Sequence, residues 1–238
     1  MRRVLAWIFR LVLGLVVGSV VLVVLFRVVR PPMTSLMLIR TGEALAAGRP
    51  PAMTHDWIAL ADVSPAVLRA VIAAEDARFF EHAGIDLDAL WRAYAYNERH
   101  GGRELRGGST ITMQCARNVF LWPGRTYVRK AFEAYFAVLL ELLWGKRRIL
   151  EVYVNVVEWG NGVYGVAAAA RRAFGVPASS LTAEQAALLA AVLPNPRRWN
   201  PAAPTRYVVG RAAQIRARAA SVRLDGLGLG EEIVRSSR

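Results

Sequence analysis

The start of the chain constrains the fold most. From Val4 to Val29 the sequence is almost wholly apolar, and Arg10 and Arg27 are its only charges. The uninterrupted stretch from Leu11 to Phe26 would span about 24 Å as a helix, a little short of a bilayer core of roughly 30 Å. Trp7, Ile8 and Phe9 close the gap if Arg10 snorkels toward the headgroups. A core helix at an N-terminus is not normally apolar on every face. A cleaved signal peptide needs a small-residue site after its apolar run, and Phe26-Arg27-Val28-Val29-Arg30-Pro31-Pro32 has none. The reading is a short cytoplasmic N-terminus over 1–10 and one retained transmembrane anchor over 11–30. Arg2, Arg3 and Arg10 precede the run while Arg27 and Arg30 follow it, so the positive-inside bias is weak. The N-terminus is placed inside because the chemistry inferred for the rest of the chain belongs outside.

Pro31-Pro32 stops the anchor helix. Residues 31–61 then read as a linker or membrane-proximal segment, with Gly42, Gly48 and Pro50 as breakers. From 62 to 238 the pattern is helical. A helix starts at Ser64-Pro65, with Ser64 as its cap, and carries Leu68, Val71, Ile72, Glu75 and Phe79 at helical spacing. Asp86 caps a second helix running to about Arg99. Further helices are expected over Thr110–Val119, Tyr127–Trp144, Lys146–Val157 and Gly165–Phe174. Thr182 and Gln185 form a capping box for a helix that stops at Pro194, and a last one covers Arg206–Leu224. No run alternates like a strand, so the class is all-α. The segment from Arg99 to Gly108 carries two glycine pairs and reads as a loop, either a gate beside a site or a solvated connector.

The formal net charge is +13, which points to an anionic partner: nucleic acid, an acidic membrane surface or a phosphorylated substrate. No zinc spacing, basic region leading into heptads or ribonucleoprotein-type aromatic motif is present, so nucleic acid is not expected. The single cysteine, Cys115, allows no intramolecular disulfide. It reads as a small apolar residue in a packed helix rather than a nucleophile. No Cys/His cluster has metal-ligand spacing, and no metal site is expected from protein ligands alone.

Several residues invite chemistry. Glu75 falls on a face that otherwise looks buried, so it is either paired to an arginine or held for a purpose. Burial would raise its pKa, as a general base working near neutrality needs. Glu133 lies four residues after Arg129, where an ordinary i,i+4 ion pair is the simpler reading. Gly107-Gly108-Ser109-Thr110 leads into a helix whose free N–H groups and hydroxyls could hold an anion. Arg117, Arg125, Arg129 and Lys130 follow, either as a pyrophosphate site or as a solvated basic face.

Together these words resemble a known family. Glu75-Asp76-Ala77-Arg78-Phe79-Phe80-Glu81-His82-Ala83-Gly84 is similar to the first signature of the peptidoglycan glycosyltransferases, glycosyltransferase family 51. Gly107-Gly108-Ser109-Thr110-Ile111-Thr112-Met113-Gln114 resembles the second, Arg129-Lys130-Ala131-Phe132-Glu133 the third, and the stretch from Lys146 to Asn155 the fourth. Leu181-Thr182 through Leu193-Pro194-Asn195-Pro196 resembles the fifth. All five occur in order between about Ser64 and Pro201.

The resemblance implies a lysozyme-like helical fold with a larger lobe and a smaller, membrane-hugging one. It implies polymerisation of lipid II into β-1,4-linked glycan strands, with inversion and release of undecaprenyl pyrophosphate. Glu75 matches the family's general base and Glu133 its second carboxylate. Ser109, Gln114, Arg117, Asn118 and Arg125 match positions that contact the donor, and Asp76, Phe79, His82, Thr110, Arg129 and Lys130 are grouped with them as substrate-binding candidates. The expected partners are lipid II, the growing glycan on undecaprenyl pyrophosphate, membrane lipids and other wall-synthesis or division proteins. No cofactor is obligatory, though Mg2+ or Mn2+ at the pyrophosphate is compatible with the family. The expected location is the bacterial inner membrane, single-pass, with the domain on the periplasmic side. The chain ends about forty residues after the fifth signature, which resembles the monofunctional branch. Two positions depart from the family: Met113 stands where a glutamine is usual, and Arg117 where a lysine is. A glycan-cleaving enzyme and an inactive membrane-anchored scaffold are the rival readings.

Overall fold

The computed structural model describes residues 1–100, 107–124 and 126–229. Helix α1, Arg2–Val28, is 27 residues long, about 40 Å at the helical rise. The mean hydropathy of 2.8 over its most apolar 18 residues, and its length, suit a membrane crossing. Only Val23 on it is buried, because the last turns of α1 lie against the rest of the chain. Trp144 Nε1 donates to the Val23 carbonyl at 2.7 Å, and Ser19 Oγ and Tyr135 Oη are 2.8 Å apart. Arg148 closes the helix end by donating to the carbonyls of Phe26 and Val29, carbonyls that a helix terminus otherwise leaves unsatisfied.

The segment read as a linker holds a helix. Helix α2, Ser35–Ala46, passes straight through Gly42. Thr34 caps it by accepting from Met37 N, and Ser35 Oγ donates to the carbonyls of Asn118 and Leu121. Glycine costs a helix only about 1 kcal/mol, and this docking outweighs it.

The remaining helices are α3 (Pro65–Glu75), α4 (Leu87–Arg99), α5 (Ile111–Phe120), α6 (Tyr127–Leu143), α7 (Gly145–Val156), α8 (Val166–Phe174), α9 (Ala183–Val192) and α10 (Arg206–Ala219). Their caps follow the sequence at Asp86, Thr110, Thr126, Thr205 and the Thr182–Gln185 capping box. Ser64 differs: its hydroxyl donates to the Leu181 carbonyl instead of capping α3. Helix α3 also ends at Glu75, so Phe79 is not on it. Asp76 leaves the helical region at φ −160°, ψ 74°, because its carboxylate is engaged elsewhere.

Three short strands join the helices: β1 (Thr54–His55), β2 (Glu158–Gly160) and β3 (Val163–Tyr164), in the order β1-β3-β2, parallel then antiparallel. Strands this short carry no readable alternation. The helices fall into two packed groups. Helices α3, α9 and α10 pack on one another, and α5 packs on α6 and α7. One apolar core runs through both, with Phe120 and Phe136 stacked at 4.7 Å and Val23 of the anchor joining it. Glycine is required at position 84: φ is +86°, and a Cβ there would lie 2.8 Å from Glu141 Cγ and 3.0 Å from the Ala137 carbonyl oxygen of α6.

Candidate active site

Glu75 ends α3 where the two helix groups meet. Its side chain is 13% exposed. One oxygen, Oε2, accepts from Gln114 Nε2 of α5 at 2.9 Å, and Gln114 Oε1 accepts from the Tyr153 hydroxyl of α7 at 3.1 Å. The other oxygen, Oε1, has no hydrogen-bond partner, and Arg211 Nη2 of α10 stands 3.6 Å from it. Burial pushes the Glu75 carboxyl above its ordinary value, against the Gln114 hydrogen bond and the charges of Arg211 and Arg117.

Two clefts lie beside the Glu75–Gln114 pair, one lined by each residue. One, of about 430 Å³, is walled by Gln114, Arg117, Asn118, Arg129, Arg40 and Glu158 among others. The other, of about 200 Å³, is walled by Glu75, Arg78, Arg92 and the residues 107–110. Arg117 is desolvated enough to bring its guanidinium below the ordinary value, although an arginine stays charged. Glu133 lies a helical turn beyond Arg129 and is 1% exposed. It receives hydrogen bonds from Arg129 on one oxygen and from Lys130, at 3.0 Å, on the other. Lys130 also donates to Ser109 Oγ at 2.7 Å. Burial, with the charges of Arg117 and Arg129, brings the Lys130 ammonium down to about 8.

The candidates thus divide. Gln114, Arg117, Asn118 and Arg129 line the larger cleft, and Glu75 and Ser109 the smaller. Asp76 and Thr110 line the smaller cleft as well, while Phe79 and His82 support the site from behind. Asp76 accepts from Ile111 N at 3.0 Å and lies 3.0 and 3.1 Å from His82 Nε2. Thr110 donates to the Gly84 carbonyl and accepts from Met113 N. Phe79 is fully buried beneath the Lys146 ammonium. Two amides at the start of α5 are thus already taken, Ile111 N by Asp76 and Met113 N by Thr110. Met113 is buried, so its apolar side chain suits a position turned away from both clefts. Arg125 and the middle of the 99–108 loop lie outside the described residues.

Sequence reasoning missed Tyr153, Arg211 and the cleft wall of Arg40 and Glu158. Tyr153 and Gln114 are brought together from different helices, and Arg211 lies beyond the fifth signature, so no local spacing marks either. Both Glu133 oxygens are already taken by cations, so that carboxylate does not fit a divalent metal ion. No cluster of three or more His, Cys, Asp or Glu occurs among the described residues.

The chain is similar to known proteins over most of its length. The family model described as Transglycosylase matches residues 42–220. The biosynthetic peptidoglycan transglycosylase of Caulobacter vibrioides is 52% identical over 217 residues, covering 91% of each chain. That of Rhodospirillum centenum is 54% identical over 214 residues, covering 90% of each. That of Bdellovibrio bacteriovorus is 49% identical over 209 residues, covering 88% of this chain and 83% of the relative. Match and relatives both span the helices that build the site, and this chain belongs to the transglycosylase family, alongside the biosynthetic peptidoglycan transglycosylases.

Proposed function

We propose that this peptidoglycan glycosyltransferase joins the 4-hydroxyl of a GlcNAc on lipid II to C1 of the MurNAc at the lipid-bearing end of a growing strand. Glu75 takes the hydroxyl proton as the new C–O bond forms, and undecaprenyl pyrophosphate leaves from the opposite face. The α linkage becomes β-1,4 in one displacement. Arg117, Arg129 and Lys130 meet the charge that builds on the pyrophosphate, with Arg125 added from the family pattern. Glu133 keeps Arg129 and Lys130 in place. The reading runs on protein cations and routes no step through a metal ion.

The observation that carries it is the Glu75 carboxylate: buried, held by Gln114 at one oxygen and unpaired at the other, beside a cleft lined by cations. A base of that kind needs a raised pKa and an uncommitted lone pair. The anchor supports it as well, since both substrates are lipids confined to a bilayer. Tyr127, Val128, Phe132 and Leu142 leave apolar side chains exposed on α6, the helix against which α1 packs. These side chains suit contact with membrane lipids. The reading places the chain in the bacterial inner membrane, single-pass, with the domain outside, where wall-synthesis or division proteins can reach it.

The test is conversion of labelled lipid II in vesicles, with products separated on a gel and then digested with lysozyme. Lysozyme-sensitive polymer with β-linkages supports the proposal. Cleavage of finished sacculus without use of lipid II would favour the lytic reading, and neither reaction would favour a scaffold.

A further inference from the structure

We propose that Arg211 is a positioning residue for this polymerisation: its guanidinium, set beside the unpaired, buried oxygen of Glu75, fixes the charge state and orientation of that carboxylate. The inference rests on Glu75 being the base. Arg211 lies on α10, after the fifth sequence signature, and lines neither cleft. Helix α10 packs on α3 and α9, so the helix that carries Glu75 and the helix that carries Arg211 are held in register. The Arg211 side chain is 24% exposed.

The geometry around Glu75 is asymmetric. Tyr153 donates to Gln114 Oε1, which fixes the amide so that its NH2 points at Glu75 Oε2. That oxygen is committed. Oε1 accepts no hydrogen bond, and Arg211 Nε makes none either. The 3.6 Å between Arg211 Nη2 and Oε1 is beyond a hydrogen bond but within ion-pair range. A cation much farther away would not offset the cost of a buried charge. At this separation Oε1 stays unpaired while the positive charge stays near.

The charged and titratable groups facing Glu75 are Arg211 from α10, Arg117 from α5, Tyr153 from α7 and its own neighbour Asp76. Burial and Asp76 raise the carboxyl; Gln114, Arg211 and Arg117 lower it, Arg211 more than Arg117. Arg117 also faces the cleft and would be drawn to a bound pyrophosphate. Arg211 has no such second task. In the reaction the 4-hydroxyl proton passes to the Glu75 carboxylate and leaves to solvent after the strand advances.

The test is kcat/KM against pH for lipid II in vesicles, using the full chain and the variants Arg211→Gln, Arg211→Lys and Glu75→Gln. Removing an opposite charge at this range should move the acidic limb of Arg211→Gln upward by about one pH unit. Its activity should return toward that of the wild type at the alkaline end. Arg211→Lys, which keeps the charge, should fall between the two. Arg211→Met serves as a second charge-free variant if Arg211→Gln does not fold. Charge-free variants whose limb stays at the wild-type pH while the rate falls evenly would overturn the proposal, since that is the mark of lost packing. If Glu75→Gln kept both rate and limb, the base assignment itself would fail, and Arg211 with it.

Discussion

Glu133→Gln separates a carboxylate that holds two cations in place from one that merely decorates a helix. An exposed i,i+4 pair is worth a few tenths of a kcal/mol, and its loss would barely register. Glu133 is different, because its side chain is 2% exposed and that of Arg129 is 8% exposed. Its second oxygen also takes a hydrogen bond from Lys130 at 3.0 Å. Removing one member of a buried pair leaves an uncompensated charge, at a cost of about 3–5 kcal/mol. Glutamine keeps one acceptor oxygen, so the lower end applies, about 3 kcal/mol. In a chain of this length each kcal/mol moves the melting temperature by about 2–4 °C, giving a fall of roughly 6–12 °C. The assay is thermal unfolding of the full chain in detergent, followed by circular dichroism. The double variant Arg129→Met with Glu133→Leu should recover much of the loss, since apolar replacement of a buried pair is often neutral. A fall of under about 2 °C in Glu133→Gln would refute the argument, because the pair would then be behaving as a solvated one.

Three further outcomes follow from the same geometry. Burial raises the folded-state pKa of Glu75, so its contribution to stability is full below the ordinary carboxylate range and is lost as pH rises through the raised value. Glu75→Gln should therefore melt higher than wild type at pH 8 and lose that advantage in acid; equal melting at pH 8 would contradict this. The Lys130 ammonium, brought down to about 8, is lost as pH rises through that value, so kcat/KM should show an alkaline limb there that Lys130→Arg moves upward. Arg148→Ala frees the Phe26 and Val29 carbonyls at the end of α1. Hydrogen bonds to charged groups are worth about 1.5–3 kcal/mol, so trypsin cleavage after Arg27 should speed up by about tenfold or more.

Much of the fold was legible because helix boundaries are written locally. Asp86, Thr110, Thr182 and Thr205 each begin a helix with a side chain that accepts a backbone amide. The long apolar helix α1 was legible from hydropathy alone. Helix α2 was not, because Gly42 and the prolines around 50 read as breakers while the docking of Ser35 on α5 is a tertiary contact. The early end of α3 was hidden for a related reason: Asp76 is drawn out of the helix by partners at Ile111 and His82. The site divides along the same line. Glu75, Gln114 and Arg117 stood out through the resemblance, whereas the tyrosine behind Gln114 and the arginine beside Glu75 depend on helices far apart in sequence. Phe79 and His82 belong to the signatures without facing either cleft, since a signature marks the residues that build a site as well as those that line it.

The central claim is that Glu75 removes the proton from the attacking hydroxyl. The initial rate of lipid II polymerisation by Glu75→Gln, beside wild type in the same vesicles at pH 8, tests it most directly. General-base catalysis contributes roughly 10²- to 10⁴-fold, so the account predicts a loss of that size in a protein that melts no lower than wild type. A rate within about threefold of wild type, equivalent to well under 1 kcal/mol of barrier, would contradict it.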